Sequence, residues 1–562
     1  MCGVCGVVTG NRVDDGVRAR VEAMTRLLRH RGPDDTGVIG DARAVLGSNR
    51  LAIRGDDTGH QPLVDPETGV IVVCNGEIDN HQEIRDLLRE RGRETIGSSD
   101  VSILPGLYLE RGEDFVEELR GTFAVAVWDP RDGKLLLARD PAGERPLFYR
   151  EAPGEVAFAT ELSALVSACS DARSLDPDAL AGYLQFGCFQ APRSPFARIR
   201  KVAPAERICF WLPTSADRRV ESIRKRFWRW PVGSVPKREA DLNAFDPVFR
   251  EAVRRQTACD VDFGLFLSGG VDSSLIAAVA RSLHPGAKLP AFTLRFDQPS
   301  YDEGGAATEV ASRFALVMHE VWVRAEHFPQ RIRELVRLVG EPLADPAWVP
   351  VSLLAQRAAQ EVKLVLGGEG GDEIFGGYPT YPGALLARGY ERWPGFVRRM
   401  TAGFVRRWPD SDRKVTVSFL LKRFVDGAGM EPVARHLLWT SNLAPGLLQR
   451  LGIEPLPTEP TSPGEMLDVL QRHDLETTLA EGLLTKSDRA AMGWALESRA
   501  PFLDREVMEF AATLPPRERV DRLQTKPFLK RYALRYLPRA IVHRRKRGLS
   551  VPLSAWLRGP LE

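Results

Sequence analysis

Up to about residue 165, apolar residues gather in short runs, Gly69–Cys74, Thr122–Trp128 and Lys134–Ala138, with turn clusters of Gly, Asp and Pro between them. Such runs predict strands. Apolar positions recur every three or four residues over 17–29 and 82–91, which predicts helices and so a layered α+β domain. From about 170 to 245 the pattern is interrupted by Pro177, Pro192, Pro195, Pro204, Pro213, Pro231 and Pro236, and a connecting region of strand and helix fragments is expected there. Beyond it, the apolar runs Phe263–Leu267, Ala291–Phe296 and Lys363–Leu366 alternate with amphipathic stretches. That alternation predicts a parallel sheet covered by helices on both faces. The expected division is 2–165, a connecting region 166–245, and 246–562. Residues 380–470, rich in Arg, Pro and Trp, show broken helical patterns to which no role attaches. There is no internal repeat and no low-complexity segment.

Length agrees with this division: 562 residues are too many for one core, and usual domain sizes give about two to four. With 43% hydrophobic and 27% charged residues the composition is globular. Lys and Arg number 77 against 75 Asp and Glu, so no overall field points to nucleic acid or a membrane surface. No apolar run approaches the ~20 residues of a membrane span, and the first residues carry no secretory or lipidation pattern. The cytoplasm is the expected location. Seven cysteines, all in the first half, are too sparse for a disulfide framework, and reduced thiols are expected. Cys2 and Cys5 form a C-x-x-C, but no second ligand pair follows at zinc-site spacing.

Cys2 carries the first chemical signal. Removal of Met1, which the small following side chain permits, would put a thiol and a free α-amine on one residue. An α-amine has an unperturbed pKa of about 7.7–8.0, so near neutral pH it can take the thiol proton and later protonate a departing ammonia. The thiolate would attack a side-chain amide. An early cysteine alone carries little weight; the motifs after it change that.

The chain opens Met1-Cys2-Gly3-Val4-Cys5-Gly6, and Arg31-Gly32-Pro33-Asp34-Asp35, Ser48-Asn49-Arg50-Leu51-Ala52-Ile53, Asn75-Gly76-Glu77-Ile78 and Ser98-Ser99-Asp100 follow in order. This half resembles the class II glutamine amidotransferases. The resemblance implies a four-layer αββα fold of the N-terminal-nucleophile type. It gives Arg50 the glutamine α-carboxylate, held by a bidentate fork, and gives Asp100 and the Glu77 region the α-ammonium. It places Leu51 and Ile53 in the pocket wall, and makes an oxyanion hole of Asn75 and the Gly76 N–H. Asn75-Gly76 is also a strong hairpin-turn signal. Cys5 stands where the family has a small or β-branched residue. Ala142-Gly143-Glu144-Arg145-Pro146-Leu147-Phe148-Tyr149 replaces the usual Gly-Ile-Lys-Pro-Leu-Tyr-Tyr, with Arg145 keeping the positive charge.

In the second half, Leu267-Ser268-Gly269-Gly270-Val271-Asp272-Ser273-Ser274 lies between an apolar strand and a helix. Glycines let backbone approach a phosphate, hydroxyls and N–H groups donate to it, and the helix N-terminus adds its dipole. The Walker lysine is missing, so a P-loop kinase or ATPase is not indicated. A second loop, Gly367-Gly368-Glu369-Gly370-Gly371-Asp372-Glu373-Ile374-Phe375-Gly376-Gly377-Tyr378, follows another strand. Loops at the carboxyl ends of adjacent parallel strands converge on one crevice.

These loops are similar to those of the N-type ATP pyrophosphatases, with Gly367 in place of the usual serine. Pro299-Ser300-Tyr301-Asp302-Glu303, Glu341-Pro342-Leu343-Ala344-Asp345-Pro346, Leu483–Ala490 and Glu497–Asp504 extend the likeness over most of the chain. With the glutaminase half in front, the whole resembles the glutamine-hydrolysing asparagine synthetases. The resemblance implies an α/β parallel-sheet domain that binds ATP through Ser268, Gly269, Gly270, Asp272, Ser273 and Ser274. It puts Phe266 and Leu294 near adenine and backbone hydrogen bonds to it on Gly367 and Gly368. It makes Asp272 and Asp372 ligands of Mg²⁺. Glu369 then supports the acyl-adenylate and Lys526 stabilises the charge of ammonia attack. His543-Arg544-Arg545-Lys546-Arg547 is either a phosphate contact or a solvated face. The chain stops at Glu562, where relatives usually continue with further helices.

The expected function is asparagine synthesis. Glutamine is hydrolysed at Cys2, aspartate is adenylated with Mg·ATP, and the acyl-adenylate is amidated to give asparagine, AMP, pyrophosphate and glutamate. The alternative keeps both half-reactions on another carboxylate, as in a peptide or specialised-metabolite amidotransferase or cyclase. A non-catalytic scaffold has no chemical need to keep Cys2, Arg50, Asp100, Asp272 and Asp372 together. A homodimer is a family expectation.

Overall fold

The structure is a computed structural model that describes residues 2–55, 59–95, 97–214, 219–233, 236–237, 239–409, 416–457, 464–544 and 548–561. Arg545, Lys546 and Arg547 of the basic cluster lie outside the described residues.

Twelve strands build the first half: β1 (Cys2–Thr9), β2 (Asp35–Gly40), β3 (Ala44–Arg50), β4 (Leu63–Val64), β5 (Ile71–Ile78), β6 (Gly121–Asp129), β7 (Lys134–Arg139), β8 (Phe148–Ala152), β9 (Glu155–Ala159), β10 (Ile199–Lys201), β11 (Glu206–Trp211) and β12 (Glu221–Arg226). They form two antiparallel sheets, ordered β10-β8-β9-β1-β3-β2 and β12-β11-β7-β6-β5-β4. Val4, Val8, Val73, Ala124, Leu137 and Ile208 pack between the sheets. Helix Asp15–Leu27 covers the outside of the first sheet, and helices His81–Glu90 and Leu104–Arg111 cover the second. The domain is therefore a four-layer αββα sandwich. Its inner strands are buried on both faces, which is why β1 and the first four residues of β5 read as apolar runs rather than alternating ones. The segment 166–245 supplies β10 to one sheet and β11 and β12 to the other. Edge strand β12 is exposed and charged, with Arg224, Lys225 and Arg226 guarding it against further pairing.

In the second half, β13 (Phe263–Phe266), β14 (Pro290–Phe296), β15 (Val317–Val323), β16 (Leu364–Leu366) and β17 (Glu497–Arg499) form one parallel sheet, ordered β15-β14-β13-β16-β17. The chain leaves β13 toward one edge and β16 toward the other. The crevice of the sheet therefore opens between these two strands, at the glycine loops. An aromatic cluster of Phe245, Phe249, Phe375, Phe502, Phe528 and Tyr532 anchors the core below them. Residues 380–470 are largely helical, and helix Gly395–Arg406 buries only Val405.

Candidate active site

Cys2 begins β1, where its partner on β3 is Arg50. Its backbone nitrogen donates to Asn75 Oδ1 at 3.0 Å, which reaches across from β5 of the other sheet. That bond fixes which way the Asn75 amide points. Its Nδ2 faces inward, buried and without a hydrogen-bond partner among the described residues, as an oxyanion donor awaiting substrate would be. Gln61 Nε2 approaches Cys2 Sγ at 3.7 Å and is pinned by both backbone groups of Cys74. Burial pushes the Cys2 thiol up, while the Leu51 backbone and the Arg50 guanidinium pull the other way. Cys5 points to the opposite face of β1, onto Thr25, so the C-x-x-C cannot converge on one metal.

Arg50 donates to the carbonyls of Arg54 and Gly55, so the loop after β3 wraps its guanidinium. Asp100 accepts the Ile78 N–H at 2.7 Å and is thereby held at the end of β5. Glu77 lies 3.4 Å from Arg54 and 3.3 Å from Arg499. Burial and the charge of Asp100 push Glu77 up to about 8, against the pull of the two arginines. Asn75-Gly76 is not a hairpin turn but lies inside β5. A Cβ on Gly76 would sit 2.0 Å from the Thr122 carbonyl of β6, so close strand approach, not turning, requires the glycine. Leu51 and Ile53 pack with Met492 of the second half, so their side chains seal the seam between the halves.

The two glycine loops touch at the crevice. In the first, Gly269 has φ +73° and Ser268 and Ser273 hydroxyls lie 3.1 Å apart, with helix Val271–Leu283 starting directly behind. Ser274 Oγ is buried with no hydrogen-bond partner among the described residues. A Cβ on Gly368 would fall 3.3 Å from the Ser273 nitrogen, and one on Gly371 3.0 Å from the Asp272 carboxyl carbon. Phe266 and Leu294, half-buried, pack in the same apolar cluster beside β16. Lys526 enters from the far side in a left-handed conformation, φ +55°, a strained setting for a side-chain-bearing residue. Its ammonium lies 2.6 Å from Asp272 and 2.5 Å from Asp372. Burial alone would lower its pKa, but the two carboxylates outweigh this and raise it. Asp272 and Asp372 thus already converge on one cation. Two carboxylates completed by substrate phosphates form a donor set that suits Mg²⁺. Glu369 accepts from Ser487 Oγ at 2.8 Å through one oxygen, and its other oxygen is buried without a hydrogen-bond partner among the described residues. From the basic cluster, Arg544 donates to the Gly269 carbonyl at 3.2 Å and so braces the first loop.

Between the two sites runs a buried ionic seam. Arg31, fully buried, donates to the Cys2 carbonyl, to Glu161 at 2.9 Å, and to both oxygens of Asp488 at 2.9 and 3.0 Å. Asp488 follows Ser487, the residue that holds Glu369. Arg139 and Lys201 meet Glu481 at 2.7 and 2.8 Å on a stretch of wide π-type turns, Leu475–Leu484. These positive partners hold Glu481 down to about 2, and Arg31 and His30 hold Glu161 down to about 2, both despite burial. Gln61 and this seam escape sequence reasoning. Gln61 sits in an irregular stretch before Pro62, and the seam pairs residues hundreds of positions apart, although its arginine lies in the quoted Arg31-Gly32-Pro33-Asp34 motif.

Fold and sites define a glutamine amidotransferase joined to a nucleotide-using ligase domain. The family model described as a glutamine amidotransferase domain matches residues 1–228, and the one described as asparagine synthase matches 244–562. The chain belongs to the asparagine synthase family. It is 30% identical to asparagine synthetase (glutamine-hydrolyzing) 1 of Bacillus subtilis, with all of this chain and 88% of the relative covered. A putative asparagine synthetase (glutamine-hydrolyzing) of Mycobacterium tuberculosis is 32% identical over 99% of this chain and 88% of its own length. Amidase chyE of Penicillium rubens is 28% identical over 95% of this chain and 85% of its own.

Proposed function

We propose that the enzyme makes asparagine from aspartate, with glutamine as nitrogen donor and ATP as activating substrate. The observation that carries the proposal is the seam: Arg31 touches the nucleophile's own carbonyl and, through Asp488, the segment that holds Glu369.

Once Met1 is removed, the Cys2 nitrogen is an α-amine that donates to Asn75 Oδ1 and serves as base for the thiol. Arg50 takes the glutamine carboxylate, and Glu77 and Asp100 take the ammonium. That arriving charge favours the ionised form of Glu77, which burial otherwise disfavours. Asn75 Nδ2 and the Gly76 N–H receive the oxyanion. In the second half, the first glycine loop cradles the phosphates. Asp272 and Asp372 would hold Mg²⁺, which would neutralise phosphate charge there. Lys526 then stabilises the charge of the attack, and Glu369 takes a proton from the nitrogen. Ammonia passes inside the protein, because ammonium in water is not nucleophilic. No helix among the described residues is long and apolar enough to cross a membrane, and we place the enzyme in the cytoplasm. The proposal includes a homodimer on family grounds.

A second reading changes only the acceptor. It is favoured by the near full-length likeness to Amidase chyE, whose name does not specify aspartate. The test is pyrophosphate release with Mg·ATP and glutamine, with and without aspartate, followed by mass spectrometry, alongside Cys2→Ala. Aspartate-dependent release with asparagine formed supports the proposal. Glutaminase activity without it transfers the assignment to another carboxylate. A parent no more active on glutamine than Cys2→Ala sinks both readings.

A further inference from the structure

A small cavity lies within the seam, walled by Glu144, Arg145, Glu369, Ser487, Asp488 and Ser498, with room for about one water-sized molecule. One wall touches the glutaminase site, since Asp488 is tied through Arg31 to Cys2. The other is Glu369 of the synthetase loop. Glu144 is the unexpected member, a carboxyl only 6% exposed at a position where the usual motif has isoleucine. Its carboxyl makes no hydrogen bond or ion pair among the described residues. Its backbone is fixed, because Asp140 accepts the N–H groups of Ala142, Glu144 and Arg145 and so locks the turn that presents it. Burial pushes this carboxyl well above the usual range; Arg145 opposes, and Asp140, Asp79 and Glu369 add to the rise. A buried carboxyl in the wall of a molecule-sized cavity, with no hydrogen-bond partner among the described residues, can serve a small molecule held there.

We propose that Glu144 makes this cavity a holding site for ammonia on its way from Cys2 to the acyl-adenylate. The inference rests on the function proposed above. Ammonia is the size of water and a strong base: it takes the Glu144 proton, and the resulting ammonium is held against the carboxylate. For attack, the proton returns to Glu144, the nitrogen lone pair forms the C–N bond, and the carbon–oxygen bond to the phosphate breaks as AMP leaves. The extra proton on the new amide nitrogen passes to Glu369. The nitrogen thus crosses the seam in a form that does not diffuse away.

The test compares the full-length parent with E144Q, E144I and E144D, measuring glutamate formed per pyrophosphate released. Near one-to-one stoichiometry in the parent should rise by roughly tenfold in E144Q and E144I, the expected cost of one hydrogen bond to a buried charge. Glutamine hydrolysis without ATP, which takes place at Cys2 and does not use Glu144, should stay near parent values, and E144D should recover most of the coupling. Unchanged stoichiometry in both E144Q and E144I, with the parent fully active, overturns the holding site alone. A parent that releases no ammonia from glutamine overturns the function and the holding site together. If either variant unfolds, seen as lost glutamine hydrolysis without ATP, the other decides.

Discussion

The Asn75 amide has two ends: its oxygen positions the Cys2 nitrogen, and its nitrogen, buried without a hydrogen-bond partner among the described residues, is the oxyanion donor of the proposed function. Asn75→Ala should lower kcat for glutamine hydrolysis by roughly 10²–10³, the usual effect of losing one oxyanion donor, while synthesis from ammonium chloride persists. Glutamate release and asparagine formation, assayed separately, check both halves of that expectation. Cys2, Arg50, Asn75 and Asp100 stand out in the sequence as candidates because each sits in a short motif whose chemistry is local. Gln61 was not, since what matters is its reach across to the Cys2 sulfur and the Cys74 backbone, which only the assembled sheets create. Glu144 was visible as a departure from the motif, but its direction into a cavity was not.

Strand periodicity carried most of the element-level reading. Helices expected over 17–29 and 82–91 form over Asp15–Leu27 and His81–Glu90, the first begun by the Asp14 side chain accepting the Val17 N–H. The alternation in the second half became the parallel sheet. Where sequence reasoning stopped, tertiary contact was decisive. Asn75-Gly76 has turn chemistry yet continues a strand, because β6 packs against the bare glycine. Gly76→Ala should therefore cost about 1–3 kcal/mol of stability through forced backbone movement and abolish glutaminase activity. A thermal melt paired with a glutamate assay reports both, and an unshifted melting temperature would contradict the close approach. The π-type turns of Leu475–Leu484 bring Glu481 to Arg139 and Lys201, a pairing that the leucines spaced along the segment do not announce. Lys526 is likewise held by two distant aspartates rather than by its local preference.

Across the whole molecule, the halves are joined through buried charge. Glu481, which meets Arg139 and Lys201 of the first half, has a folded-state value depressed to about 2. Its contribution is complete above the unfolded glutamate value of about 4.3 and is lost as pH falls from there through about 2. Calorimetry should then show one unfolding transition at neutral pH splitting into two as the pH drops through that window; a single transition throughout would contradict it. Asp488→Asn strips Arg31 of one of its two carboxylates and should cost about 3–5 kcal/mol, with glutamine hydrolysis and pyrophosphate release losing their fixed ratio. The seam also bears on engineering. A glutaminase half moved onto a foreign synthetase would arrive with Arg31, Arg139 and Lys201 buried opposite whatever that partner offers, so the two halves are not interchangeable modules. A chimaera needs the acids and bases of the seam transplanted as one matched set, and libraries that recombine the halves freely should be dominated by insoluble products.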